Sequence, residues 1–128
     1  MCLQRALKYQ ASILLLFVML TGCDPTEQTT FDPALSSQIQ PHDPQLSAIY
    51  DRSCKTCHTL EGTGAPLTGD SQGWQVRMDK GMDALLDSVI NGSGGMPPFG
   101  MCMDCDVDEF EALITFMAAP AIPATSAE

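Results

Sequence analysis

The sequence predicts an all-α domain of about four short helices, and three observations lead there. No segment alternates apolar and polar residues at period two over the length of a strand. Between residues 43 and 118 apolar positions instead recur three and four apart, in separate stretches. Loops rich in glycine and proline divide those stretches.

The first helix opens at Asp43-Pro44, where a carboxylate can accept from first-turn amides and proline has no useful N–H to lose. Positions 46, 49, 50, 54 and 57, apolar or cysteine, then fall along one face. Residues 58–69 contain three glycines and a proline and form a loop. Asp70 caps a short helix through Trp74 and Met78 that Gly81 ends. Met82, Leu85, Leu86, Val89 and Ile90 mark a third helix, stopped by Asn91-Gly92. A second loop, rich in glycine, proline and cysteine, covers 92–105. Asp106 and Glu109 then form a capping box for a last helix on Val107, Phe110, Leu113, Ile114 and Met117. A domain this short buries only about 60 to 65 per cent of its unfolded surface, so its core is thin. Something other than side chains fills the centre.

The full chain of 128 residues carries 6 Lys and Arg against 16 Asp and Glu, a formal net charge of -10. That balance argues against nucleic acid as a partner, because a phosphate backbone needs clustered cations. At the start, Arg5 and Lys8 precede an apolar run from Ala11 to Leu20, broken only by Ser12. Such a run is half of the roughly 20 residues a spanning helix needs, so residues 1–22 read as an export signal. Leu20-Thr21-Gly22-Cys23 resembles the bacterial lipobox. The resemblance implies cleavage before Cys23 and acylation of that cysteine, an anchor on the periplasmic side of a bacterial membrane. Asp24 resembles the residue that keeps enterobacterial lipoproteins in the inner membrane, a rule that varies among bacteria and leaves the choice of membrane open. Residues 23–42, rich in Pro, Thr, Ser, Gln and acids, read as a lipidated N-terminus and flexible tether, with His42 a solvated linker residue. Residues 119–128 read as a disordered tail. Without residues 1–22, four basic groups face all 16 acids, and the formal charge becomes -12.

Six cysteines occur at positions 2, 23, 54, 57, 102 and 105. The first goes with the signal and the second with the anchor. Cys54-Lys55-Thr56-Cys57-His58 is C-x-x-C-H, the attachment pattern of c-type haem. On a helix, residues three apart face the same side, so both thiols can reach the two vinyl groups of one porphyrin while His58 swings beneath the iron as proximal ligand. That reading calls for a second axial ligand far along the chain. Met96 in Gly94-Gly95-Met96-Pro97-Pro98 is the candidate, since glycines let the backbone approach the ring and prolines stiffen the loop. Met82 and Met117 lie on apolar helix faces and read as core, while Met101 and Met103 flank Cys102.

With these residues in view the chain resembles the class I cytochromes c, and among them the bacterial cytochrome c5 group. Matching residues are Cys54 to His58, Gly64-Ala65-Pro66, Gly69-Asp70, Trp74, Arg77, Gly81-Met82-Asp83, Gly95 to Pro98, Gly100 and Cys102-Met-Asp-Cys105. The resemblance covers about residues 46 to 118 and implies a small fold around one covalent haem c, with His58 and Met96 as axial ligands. It also implies that the Pro66 carbonyl accepts the His58 Nδ1 proton, that Leu67 packs on the haem, and that Trp74 and Arg77 lie near its propionates. Phe99 departs from a polar or basic residue common among relatives. It reads either as core or as part of an apolar docking patch. Cys102 and Cys105 read as a disulfide, since an exported chain meets an oxidising compartment and no second C-x-x-C-H follows; a redox-active dithiol is the competing reading.

These features lead to an electron carrier rather than an enzyme, because both axial positions are filled. The expected partners are redox proteins with a basic docking patch: a quinol-oxidising complex, a terminal oxidase or a periplasmic reductase. Two alternatives stay open at this level. One is a haem sensor or enzyme with a labile Met96. The other joins Cys54, Cys57, Cys102 and Cys105 into a zinc or iron-sulfur site, at a separation long for a zinc ribbon.

Overall fold

The computed structural model describes residues 31–121. Among the described residues the regular structure is helical, with no strand and a single isolated bridge between Ser93 and Met96. The helices are α1 (Pro44–Ile49), α2 (Lys55–His58), α3 (Ser71–Met78), α4 (Met82–Asn91) and α5 (Val107–Ala118). A π-turn, Tyr50–Cys54, joins α1 to α2 without a break, so the five make four helical arms.

Three of the four starts are set by aspartates. Asp43, Asp70 and Asp106 accept from the backbone N–H of Leu46, Gly73 and Glu109 at 2.9, 3.0 and 2.9 Å. The Glu109 carboxylate accepts in return from the Asp106 N–H at 3.0 Å and closes the capping box. The fourth start, at α4, follows Gly81 at φ 86, where the chain reverses out of α3. The π-turn is the feature that spacing does not predict. It widens the winding of the first helical arm up to Cys54, just ahead of the α-turn that carries Cys57 and His58.

The core is built on α5. Phe110, Leu113, Ile114 and Met117 are buried along one of its faces, against Ile49 and Tyr50 of the first arm, Trp74 of α3 and Leu85 and Val89 of α4. The Tyr50 and Phe116 rings meet edge to face, with centroids 5.2 Å apart.

Residues 24–42 were expected to form a flexible tether, and within the described residues the outcome differs. Residues 33–37 form a 3₁₀ turn capped by Asp32, and Ser36 is fully buried, donating to the Thr68 carbonyl at 2.8 Å. Gln40 donates to the Asp51 carboxylate at 2.8 Å. The physical reason is that Thr68 needs a donor for its buried carbonyl, and a short polar segment such as Pro33–Ser37 can supply one without any apolar stripe of its own. The expected loose tail is likewise tied at its first turn, where the Ala121 N–H donates to the Gly69 carbonyl at 3.0 Å.

Candidate functional site

The loop after α2 folds back beneath it. His58 is buried, and its Nδ1 lies 2.8 Å from the Pro66 carbonyl oxygen, which can only accept. Nδ1 therefore carries the proton, and Nε2 is left with a free lone pair. Burial lowers the His58 pKa below its ordinary value, the bond to Pro66 offsets this in part, and the Arg77 charge lowers it further. The ring is thus neutral at pH 7, the form a metal ligand requires.

The next residues fix that ring in place. Trp74 is buried and stacks on His58, with centroids 5.7 Å apart and planes 17° from parallel. Its indole N–H donates to the Leu67 carbonyl at 2.9 Å. Thr68 donates its N–H to the His58 carbonyl at 2.7 Å and accepts from the Tyr50 hydroxyl at 3.0 Å. Ser36, Tyr50 and Thr68 thus form a buried polar network behind the histidine. Sequence reasoning missed it, having read Tyr50 as an apolar helix position and Ser36 as linker. The signal that could have found it is the polar Thr68 set between Leu67 and Gly69 in a loop that must close on His58.

A cavity of about 400 Å³ opens in front of His58. Cys54, Cys57, His58, Pro66, Trp74, Arg77 and Met96 all line it, with Leu85, Val89, Ile114 and Met117 as apolar wall. Leu67 is not among the lining residues: it was expected to pack on the haem, yet it serves through its carbonyl, which holds Trp74. Met117, expected to be core, is buried and also faces the cavity. Arg77 lines the cavity while its Nη1 donates to the Gly73 carbonyl at 2.9 Å, and Lys80 joins it there.

Met96 reaches the cavity from a tight turn. Its N–H and carbonyl both pair with Ser93, at 3.0 and 3.1 Å, and Gly92 packs so closely on this turn that a Cβ would stand 2.8 Å from the Met96 carbonyl oxygen. Beyond it, Phe99, Gly100 and Met101 lie consecutively in the left-handed region, at φ 58, 55 and 68. Such a conformation costs on the order of 1 to 3 kcal/mol for each non-glycine residue and persists only where its surroundings hold it. Phe99 is half-buried against the core, so the exposed apolar surface of this loop belongs to Met101 and Met103 rather than to Phe99.

Cys102 and Cys105 form a disulfide with Cα atoms 5.4 Å apart, whereas Cys54 and Cys57 are free thiols. The four sulfurs therefore do not make one metal site, and among the described residues the one compact group of candidate ligands consists of Cys102, Asp104 and Cys105. Burial pushes the Cys54 thiol up to about 11, only partly offset by Arg52.

These residues fit a haem. Its flat apolar ring suits the cavity walls, its carboxylates suit Arg77 and Lys80, and its vinyl groups suit two unbridged thiols one helical turn apart.

Comparison with known proteins points the same way. The family model described as cytochrome C oxidase, cbb3-type, subunit III matches residues 43–117. Cytochrome c5 of Azotobacter vinelandii is 42% identical over 72 residues, covering 55% of this chain and 87% of that protein. Cytochrome c-555 of Chlorobaculum tepidum is 44% identical over 48 residues, covering 38% of this chain and 44% of that protein. A chain from a crystal structure described as an electron transfer complex of nitrite reductase with cytochrome c matches the fold with a TM-score of 0.52 at 36% identity, covering 59% of this chain and 93% of that one. Thiols, imidazole, apolar walls, family match and fold converge: the chain belongs to the class I cytochromes c, in the cytochrome c5-like group, and is a monohaem electron carrier with covalently bound haem c.

Proposed function

We propose that Cys54 and Cys57 hold the haem through thioether bonds, that His58 and Met96 are its axial ligands, and that the protein ferries single electrons between larger redox complexes rather than transforming a substrate. The observation that carries this reading is that Cys54, Cys57, His58, with its Nδ1 committed to Pro66, and Met96 line one cavity. A haem held here would supply an iron that passes between Fe(III) and Fe(II), and ligation by both a histidine and a methionine would raise its reduction potential.

The chain's own residues do the rest. The Pro66 carbonyl and the Trp74 face hold the imidazole in one tautomer and one orientation. Leu85, Val89, Ile114 and Met117 keep water from the ring. Arg77 and Lys80 line the cavity and would offer positive charge to the haem's propionates.

Acylation at Cys23 then anchors the protein on the periplasmic side of a bacterial membrane, a reading supported by the lipobox-like Leu20-Thr21-Gly22-Cys23. The formal charge of -12 beyond residue 22 selects partners with a basic docking patch. A quinol-oxidising complex fits as donor, and a terminal oxidase or periplasmic reductase as acceptor. The likeness to a cytochrome c held in a complex with nitrite reductase supports the reductase class.

A redox titration of the purified holoprotein beside Met96→Ala tests the ligation. The wild type is expected to show a one-electron transition at high potential and, when ferric, the far-red methionine-to-iron absorption band. Met96→Ala loses the band and titrates at lower potential. A wild-type protein without the band overturns Met96 as ligand.

A further inference from the structure

Arg52 stands two residues before Cys54 in the π-turn, and Asp104 lies inside the ring closed by Cys102 and Cys105. The two are 52 residues apart in sequence. Arg52 Nη1 donates to Asp104 Oδ1 and Nη2 to Oδ2, each at 3.0 Å, and Nη2 also lies 3.2 Å from Cys102 Sγ. A planar guanidinium can hold this fork, and a lysine cannot. Among the described residues the other ion pair, Lys55 with Asp51, joins residues four apart within the first helical arm. The Arg52–Asp104 pair crosses between elements.

It ties together the two chain segments that supply the haem cavity's sulfur and imidazole groups. The Arg52 side carries Cys54, Cys57 and His58, and the Asp104 side carries Met96. From Cys102 a short relay of backbone bonds runs toward Met96: Cys102 N–H to the Phe99 carbonyl at 2.8 Å, and Gly100 N–H to the Pro97 carbonyl at 3.0 Å. The relay encloses the left-handed residues Phe99, Gly100 and Met101. This turn sits directly on the methionine, since a Cβ on Gly100 would stand 3.2 Å from Met96 Cε. Two non-glycine residues in that conformation drive the turn to relax whenever its end is released.

We propose that Arg52 is a positioning residue for Met96. By clamping Asp104 and Cys102 it holds the turn 99–101 against the Met96 side chain, and so it sets how readily Met96 gives up its place on the iron. The role rests on the ligation by His58 and Met96 proposed above. Exposed ion pairs commonly contribute little because both side chains must be ordered. Here the contact is bidentate, the carboxylate is carried inside the Cys102–Cys105 ring, and the fork adds a contact to sulfur.

Imidazole titration of the ferric holoprotein reads this directly, because imidazole binds only as Met96 leaves. Arg52→Ala and Asp104→Ala are each expected to bind imidazole up to about fivefold more tightly than wild type, the upper end of what an exposed pair contributes. The double variant binds no more tightly than either single one, and Arg52→Lys falls between. Asp51→Ala, which removes the other ion pair, leaves the affinity unchanged. A merely structural role lowers the unfolding midpoint and leaves imidazole affinity as in the wild type. That outcome, with Met96→Ala binding far more tightly than wild type, overturns the role of Arg52 and leaves the ligation standing. A wild type that binds imidazole as tightly as Met96→Ala overturns both. Should Arg52→Ala fail to incorporate haem, Asp104→Ala and Arg52→Lys give the same reading.

Discussion

At the scale of single residues, the site is organised by what His58 is denied. Its Nδ1 proton is committed to the Pro66 carbonyl, its face is covered by Trp74, and its burial disfavours the charged ring. Only Nε2 remains to act. Tyr50 supports this from behind, through the Thr68 hydroxyl and the Thr68 N–H that bonds the His58 carbonyl. Tyr50→Phe keeps the ring's packing on Phe116 but leaves the Thr68 hydroxyl without its donor in a fully buried place. Chemical denaturation is expected to show a loss of about 1 to 2 kcal/mol with little change in the haem spectrum.

At the scale of elements, the loop that carries Met96 is shaped by short local devices rather than by a regular helix or sheet. The Ser93–Met96 turn, the left-handed residues 99–101 and the disulfide act in series along it. Replacing Cys102 and Cys105 together by serine removes a very short cross-link, and the expected loss is about 2 kcal/mol by the chain-entropy estimate, read as a lower thermal midpoint of the holoprotein. What was legible in the sequence follows the same division. Helix starts at Asp43, Asp70 and Asp106 were readable because a cap and its amides lie within three residues. Cys54, Cys57 and His58 were readable as a group because haem attachment imposes local spacing, whereas Met96 was read from the glycines and prolines around it. Ser36 was not, because its burial depends on Thr68, 32 residues away. Arg52 was not, because its partner Asp104 is met only after the chain has folded. The π-turn was hidden for a different reason: Tyr50 to Cys54 has the same apolar spacing whether the arm is wound as α or π.

At the scale of the whole molecule, two properties govern how electrons enter and leave. One is charge, with 16 acidic groups against four basic ones beyond residue 22. Association with a partner that presents a basic patch is expected to slow steeply between about 10 mM and 200 mM salt, as the Debye length shortens, and stopped-flow mixing with such a partner checks it. An association rate indifferent to salt would remove charge as the steering force. The other property is closure of the iron to outside ligands, which separates a carrier from a sensor or an enzyme. In the ligation proposed above it rests on Met96 staying in place, and in the role proposed for Arg52 the turn at 99–101 and the clamp on Asp104 hold it there. Titration of the ferrous protein with carbon monoxide at neutral pH, beside Met96→Ala, tests this most directly. The expected result is a wild-type spectrum unchanged by carbon monoxide and a Met96→Ala variant that binds it; wild-type binding as tight as the variant's would contradict the account.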